Sequence, residues 1–292
     1  VVAGDGVCSF AEMWKQARRV AGFLQASGLV AGDRVALSAD NAPQYIAVFY
    51  GTLLAGGAVV PMNTNSKVRD FENWLNHCGA RFAFVDFVPR EMHKLLQAGI
   101  ATALVAVNRD TATILPDALL PQLHAVWQAV EQAQPLPLPE VLAPDPAALA
   151  CIIYTSGTTG NPKGVMISHG NLAANVQSIL AALPIQPGDR FLNVLPFYYS
   201  YGNSVLHTHV VQGATLYLEN SMMYPAAVVA RMQNERITGF AGVPSTYALL
   251  LSRGKVAEHD LSSLRYILQA GGAMPVPLTK DVMEHMSRQL YV

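Results

Sequence analysis

At 292 residues the chain can bury a large core, which at this size divides into packed subunits of structure. Its residues are 51% apolar and only 13% charged, a balance that predicts an α/β core with central strands buried on both faces. A net charge of −1 without a basic stripe argues against nucleic acid as a partner. Three widely spaced cysteines (Cys8, Cys78, Cys151) make no disulfide framework and fit a reducing cytoplasm.

The first signal is a capping box, Ser9-Phe-Ala-Glu12, opening an amphipathic helix that ends near Gly28. A buried strand is predicted at Arg34–Ser38, an apolar helix at Pro43–Gly56 and a strand at Ala58–Met62. A helix at Val68–Cys78 then leads to strands at Arg81–Asp86 and Thr102–Val107. Strands alternating with helices imply crossover units and a parallel sheet. Two charge-poor stretches are candidates for membrane spans, and neither fits one. The first, 41–66, is interrupted by Pro43, Gly56-Gly57 and Pro61, leaving a helix of roughly 21 Å, too short for a bilayer. The second, 191–218, contains Asn193, Asn203, His207, His209 and Gln212. No signal peptide is read before Ser9, and a soluble, cytoplasmic protein without a membrane span is expected.

Residues 134–146 hold five prolines and read as an extended linker. The expected organisation is therefore a first α/β subdomain over 1–133, a linker over 134–148 and a second subdomain over 149–292. In the second, strands are predicted at Leu149–Tyr154, Gly164–Ser168, Arg190–Leu195, Thr215–Leu218, Ile237–Ala241 and Arg265–Leu268. A helix is predicted at Gly170–Leu183. The last residues, 289–292, resemble the start of another strand, so the chain is expected to be a fragment.

Between two of these strands, Tyr154-Thr-Ser-Gly-Thr-Thr-Gly-Asn-Pro-Lys-Gly164 packs hydroxyls, glycines and one lysine into a turn. Glycines let backbone N–H groups face an anion. Thr155, Ser156, Thr158 and Thr159 add donors, Gly157 and Gly160 add freedom, and Lys163 adds a charge suited to phosphate. A Walker A loop is excluded, because Lys163 is followed by Gly164 and a strand rather than by Ser or Thr and a helix. A merely solvated Ser/Gly loop is the alternative; eleven specified positions between two apolar strands argue against it.

This segment resembles the signature loop of the adenylate-forming superfamily, which includes acyl-CoA synthetases, luciferases and peptide-synthetase adenylation domains. The resemblance extends over nearly the whole chain. Leu54–Pro61 is similar to an early Ala-Gly-Gly-Ala segment, and Gly242-Val-Pro-Ser245 to a turn beside the acyl pocket. Leu195-Pro-Phe-Tyr-Tyr-Ser-Tyr-Gly202 is similar to the segment lining that pocket, and Ala270-Gly-Gly-Ala-Met-Pro275 to the turn against which adenine packs. It implies an α/β fold of two parallel-sheet subdomains, the large N-terminal domain of such an enzyme with its C-terminal part missing. It also implies that the loop, with Lys163 as catalytic residue, grips the β- and γ-phosphates of ATP while a carboxylate attacks the α-phosphorus. Gly271, Gly272 and Ala273 would receive adenine, with Gly272 giving room to a flat base and tolerating positive φ. Tyr198, Tyr199, Tyr201 and Gly202 would bind the acid, Gly202 leaving room for a chain to pass. From the residues alone, the three tyrosines are either core aromatics or a cavity wall.

The expected activity is ATP-dependent formation of an acyl-adenylate with release of pyrophosphate, followed by transfer to coenzyme A, as in fatty acid metabolism. Mg²⁺ is implied, but its expected Glu ligand, the ribose-binding Asp and the catalytic Lys of the small domain would fall past Val292. The chain alone is therefore expected to be inactive, and no metal ligand is assigned within it. Two alternatives stand beside this reading. One is transfer to a carrier-protein thiol, although no acidic residue lies between Asp189 and Glu219 to pair an amino acid's ammonium. The other is a nucleotide-binding fragment without catalysis. His207 and His209 read as packed histidines, since no acid or cysteine lies nearby at ligand spacing. His169 is read either as a substrate contact or as a helix-start residue.

Overall fold

The computed structural model describes residues 1–4, 6–86, 91, 94–95, 102–107, 124–137, 144–155, 163–287 and 289–292. The chain forms two compact units: Ser9–Ala174, and a second that joins Val1–Cys8 to Asn175–Val292. The second unit contains the short antiparallel pair β1 (Val2–Ala3) and β2 (Gly6–Val7).

In the Ser9–Ala174 unit, Ser9 caps α1 (Phe10–Ala26) by accepting a 3.1 Å hydrogen bond from the Glu12 amide. Met13, Ala17, Val20, Ala21 and Leu24 recur every three or four residues and form its buried stripe. β3 (Arg34–Ser38) follows, then α2 (Pro43–Leu54), β4 (Ala58–Pro61), α3 (Val68–Cys78) and β5 (Ala80–Val85). After β6 (Ala103–Ala106), β7 (Ala125–Val126) and α4 (Trp127–Gln132) come β8 (Leu149–Thr155), β9 (Lys163–Ser168) and α5 (His169–Ala182). Among the described residues the sheet runs β7-β6-β5-β3-β4-β8-β9, parallel except for the antiparallel pair β8–β9. Its central strands are near-continuous buried runs, as a sheet covered on both faces requires.

The Asn175–Val292 unit repeats the alternation. Its elements are β10 (Arg190–Asn193), α6 (Ser200–Gln212), β11 (Thr215–Leu218), α7 (Pro225–Asn234) and β12 (Gly239–Gly242). α8 (Pro244–Arg253), β13 (Tyr266–Gln269), α9 (Val276–His285) and β14 (Leu290–Tyr291) complete it. The strand order is β14-β13-β12-β10-β11-β1-β2, parallel but for β1–β2. A buried carboxylate ties the feet of three strands together. Asp189 accepts from Arg265 at 2.6 Å, from Thr238 at 2.8 Å and from Tyr266 at 3.2 Å.

The division differs from the one expected. β8 pairs in parallel with β4, so residues 149–174 belong with the first sheet, and the boundary falls inside α5 rather than at 134–148. The described part of the proline-rich segment is not a free linker. Leu136 donates its amide to the Arg18 carbonyl at 2.9 Å and accepts from Arg18 Nε at 2.7 Å, which fastens it to α1. Among the described residues no helix is long and apolar enough to cross a membrane.

Candidate active site

The described ends of the segment read as a phosphate loop, Tyr154–Thr155 and Lys163–Gly164, pair as an antiparallel hairpin. Thr155 at the end of β8 faces Lys163 at the start of β9, and Tyr154 faces Gly164. Thr155 and Lys163 are both exposed. The candidate contacts Ser156, Gly157, Thr158, Thr159 and Gly160 lie outside the described residues. The hairpin's first arm is held by residues that the sequence did not point out. Tyr154 stacks on Trp74 with ring centroids 5.7 Å apart and 16° between planes, and its hydroxyl meets His77 Nδ1 at 2.7 Å. Burial beside Cys78 pushes the Tyr154 phenol above its ordinary range, so it stays protonated. Trp74 and His77 lie three apart on α3, one face of a helix, and that spacing was the available signal.

In the other unit, β13 ends at Gln269 and the chain turns through Ala270, Gly271, Gly272 and Ala273, all exposed. Gly271 has φ +83°, and a Cβ there would come within 3.0 Å of Val243 Cγ1. Gly272 has no positive φ, and a Cβ there would meet only Pro244 at 3.8 Å, so the conformational demand belongs to Gly271 instead. Gln269 straps the turn, its Nε2 donating to the Gly272 carbonyl at 2.8 Å and to the Ala270 carbonyl at 3.2 Å. The result is an exposed ledge of backbone with little side chain over it.

Near this turn, within the same unit, is a largely apolar cavity of about 260 Å³. Ile179, Leu183, Tyr201, Val205, Leu268 and Gln269 contribute to its wall. Of the four residues expected to bind the acid, Tyr201 lines this cavity. Tyr198 is half-buried and Tyr199 is 51% exposed at the N-cap of α6, their rings 4.6 Å apart. Gly202 does not leave room for a chain. A Cβ there would fall 2.1 Å from the Pro196 carbonyl oxygen, so the glycine lets the first turn of α6 press against backbone. Gln269 was missed by the sequence reading. The signal was a polar residue ending the apolar strand Tyr-Ile-Leu-Gln just before the glycine turn.

His207 and His209 are buried on α6, and burial lowers both to about 4. His209 packs 3.9 Å from the Phe191 ring, with Nδ1 2.8 Å from the Val205 carbonyl. His169 is the first residue of α5 and lines a different apolar cavity, of about 520 Å³, with Trp14, Tyr50, Leu53 and Leu136. Among the described residues no group of three or more His, Cys, Asp or Glu could hold a metal ion.

Two doubly wound sheets, one carrying a hydroxyl- and lysine-flanked hairpin and the other a glycine ledge and an apolar cavity, define an α/β protein of the adenylate-forming kind. The chain belongs to the family of AMP-binding enzymes, whose model matches residues 1–292. It is 29% identical over 283 residues to a feruloyl-CoA synthase of an Amycolatopsis species, covering 96% of this chain and 52% of that protein. An L-proline–[L-prolyl-carrier protein] ligase of Streptomyces coelicolor is likewise 29% identical over 283 residues, covering 96% of this chain and 53% of the ligase. Among solved structures, an anthranilate CoA ligase in complex with anthranoyl-AMP superposes with a TM-score of 0.86 at 22% identity, over 99% of this chain and 55% of the other, a likeness of fold. The chain thus spans about half the length of the relatives it matches.

Proposed function

We propose that this chain supplies the ATP- and acid-holding parts of an AMP-forming acid–thiol ligase. A carboxylate oxygen attacks the α-phosphorus of ATP, the bond to the departing pyrophosphate breaks, and an acyl-adenylate results. A thiol sulfur then attacks the acyl carbon and AMP leaves. Charge in the first transition state is spread over phosphate oxygens, so positioning and fixed positive charge supply most of the catalysis. Lys163 is the residue we assign to that charge, with Thr155 and the hydroxyls of 156–162 as donors to the β- and γ-phosphates. Gly271, Gly272 and Ala273 would lie against adenine, and the Tyr201 cavity would hold the acid's body. ATP and coenzyme A are the expected co-substrates. Mg²⁺ is the metal expected with ATP, and no ligand is assigned to it.

The observation that carries this reading is the coincidence of an AMP-binding family match over all 292 residues with the Thr155–Lys163 pairing that closes the hairpin. The match to feruloyl-CoA synthase favours coenzyme A as acceptor and an aryl acid as substrate. The match to a carrier-protein ligase keeps a carrier thiol as the alternative. Against an amino acid, no described residue lining the cavity is acidic, and a buried ammonium needs a counter-charge. A cytoplasmic location fits the cysteine usage.

The test is ATP–pyrophosphate exchange by the full-length protein with a panel of aryl, acyl and amino acids. Lys163→Ala is expected to lower exchange about ten- to a hundred-fold, the worth of one charge-assisted contact to phosphate. Acid binding in that variant should change little. Unchanged exchange would remove Lys163 from the role given to it.

A further inference from the structure

The hairpin that carries Lys163 outruns the sheet that anchors it. β8 pairs with β4 at Cys151 and Val59, whereas its pairing with β9 continues to Thr155 and Lys163. β9 is the edge strand, so backbone pairing to the rest of the sheet stops short of the end that carries the lysine. A two-stranded ribbon is marginal by itself, so side chains must fix where this end sits. Ile152 and Tyr154, two apart on β8, share one face of the ribbon. Ile152 belongs to a buried cluster with Phe71 and Leu75 of α3, and Tyr154 and Trp74 pack against that cluster. The Trp74 and Tyr154 rings are stacked, and the protonated Tyr154 hydroxyl meets His77 Nδ1 at 2.7 Å. Across the ribbon, a Cβ on Gly164 would come 2.8 Å from Ile152 Cγ2 and 3.6 Å from the Tyr154 ring. The tyrosine therefore fills the face that Gly164 leaves bare. Contact runs unbroken from α3 through Tyr154 to the residue next to Lys163.

We propose that Trp74 and His77 are positioning residues: by holding Tyr154 they fix the backbone from which Lys163 reaches the β- and γ-phosphates of ATP. This rests on the reading of Lys163 as the charge that faces phosphate. A lysine side chain is long and flexible, so its charge serves at a defined point only if its root is held. Thr155 and Lys163 are both exposed, which leaves Tyr154 as the nearest packed side chain to that end of the ribbon. A stacked pair or a single hydrogen bond is a small contact, each worth about two- to tenfold in an equilibrium. That grip should be felt by the β- and γ-phosphates, which AMP lacks.

The experiment is calorimetric titration of the full-length protein with ATP and, separately, with AMP. Trp74→Ala should weaken ATP about two- to tenfold and leave AMP close to the parent's affinity. Trp74→Phe, which keeps a ring on Tyr154, should restore ATP binding. Tyr154→Phe, which removes only the hydroxyl, and His77→Ala, at an exposed position, should each show the same selective loss in smaller measure. These two mild variants carry the comparison if Trp74→Ala does not fold by circular dichroism. Each variant is then repeated with Lys163→Ala. A clamp that acts through the lysine should cost little more once the lysine is gone, whereas independent losses multiply. Unchanged ATP affinity in the clamp variants would overturn the proposal. So would equal weakening of ATP and AMP, or the same factor with and without Lys163, since either marks a contact that only supports the fold. Normal ATP binding by Lys163→Ala alone would overturn the underlying reading of the lysine instead.

Discussion

Gly271 and Gly272 are adjacent and indistinguishable in the sequence, but their backbones place opposite demands on them. Gly271 sits at φ +83°, where an L side chain is strained, and its Cβ would press on Val243. Gly271→Ala is expected to cost about 1–2 kcal/mol of stability. Gly272 lacks positive φ and faces open space up to Pro244, so Gly272→Ala should keep the fold or slightly stabilise it. If adenine lies on this ledge, the added methyl of Gly272→Ala should still weaken ATP binding. Thermal unfolding followed by circular dichroism separates the two stability effects, and calorimetric titration with ATP reads the third. An alanine at 272 that binds ATP normally would move the base elsewhere. The turn itself was legible from Ala-Gly-Gly-Ala. Which glycine bears the conformation was not, because φ depends on how β13 leaves the sheet.

At the scale of elements, buried strands and the amphipathic helix α3 were the most legible parts. Arg34–Ser38, Val68–Cys78 and Thr215–Leu218 were read to the residue, because each is a buried run or an amphipathic repeat bounded by turn residues. β1 and β2, at two residues each, are too short for any periodicity, and α9 buries only Val282, so its apolar stripe is faint. The antiparallel sense of β8–β9 was open to reading, since the seven residues joining them are too few for a parallel crossover. Helix α6 supplies the test at this scale. Its first turn is pressed against the Pro196 carbonyl through Gly202, so Gly202→Ala should force a backbone shift and destabilise by about 1–3 kcal/mol or more. Exchange should then fall with all acids alike. A folded Gly202→Ala protein with its preference moved toward shorter acids would restore the earlier idea of an open passage.

For the whole molecule, composition marked a boundary at the prolines, whereas the pairing of β8 with β4, some ninety residues earlier, sets it inside α5. Pairing over that distance leaves no local trace. The buried histidines give the molecule a pH dependence whose sign follows from the same burial. His207 and His209 lie in the Asn175–Val292 unit, and desolvation lowers both from 6.5 to about 4, against weaker opposing effects at His209 from the Val205 carbonyl and Asp189. Below pH 6.5 the unfolded chain takes up protons that the folded unit refuses, so stability is full above that pH and is lost progressively down to about 4. Each histidine contributes a slope of up to about 1.4 kcal/mol per pH unit in that window. A histidine held in a salt bridge would show the reverse sign. Guanidinium unfolding followed by circular dichroism should therefore give a lower midpoint at pH 5 than at pH 7. Trp14, Trp74 and Trp127 all belong to Ser9–Ala174, so tryptophan emission reads that unit and circular dichroism reads both. Substituting both histidines by Gln should flatten the dichroism profile between pH 5 and 7, whatever the substitutions cost at pH 7. A slope that survives the double substitution would assign the acid sensitivity to other groups.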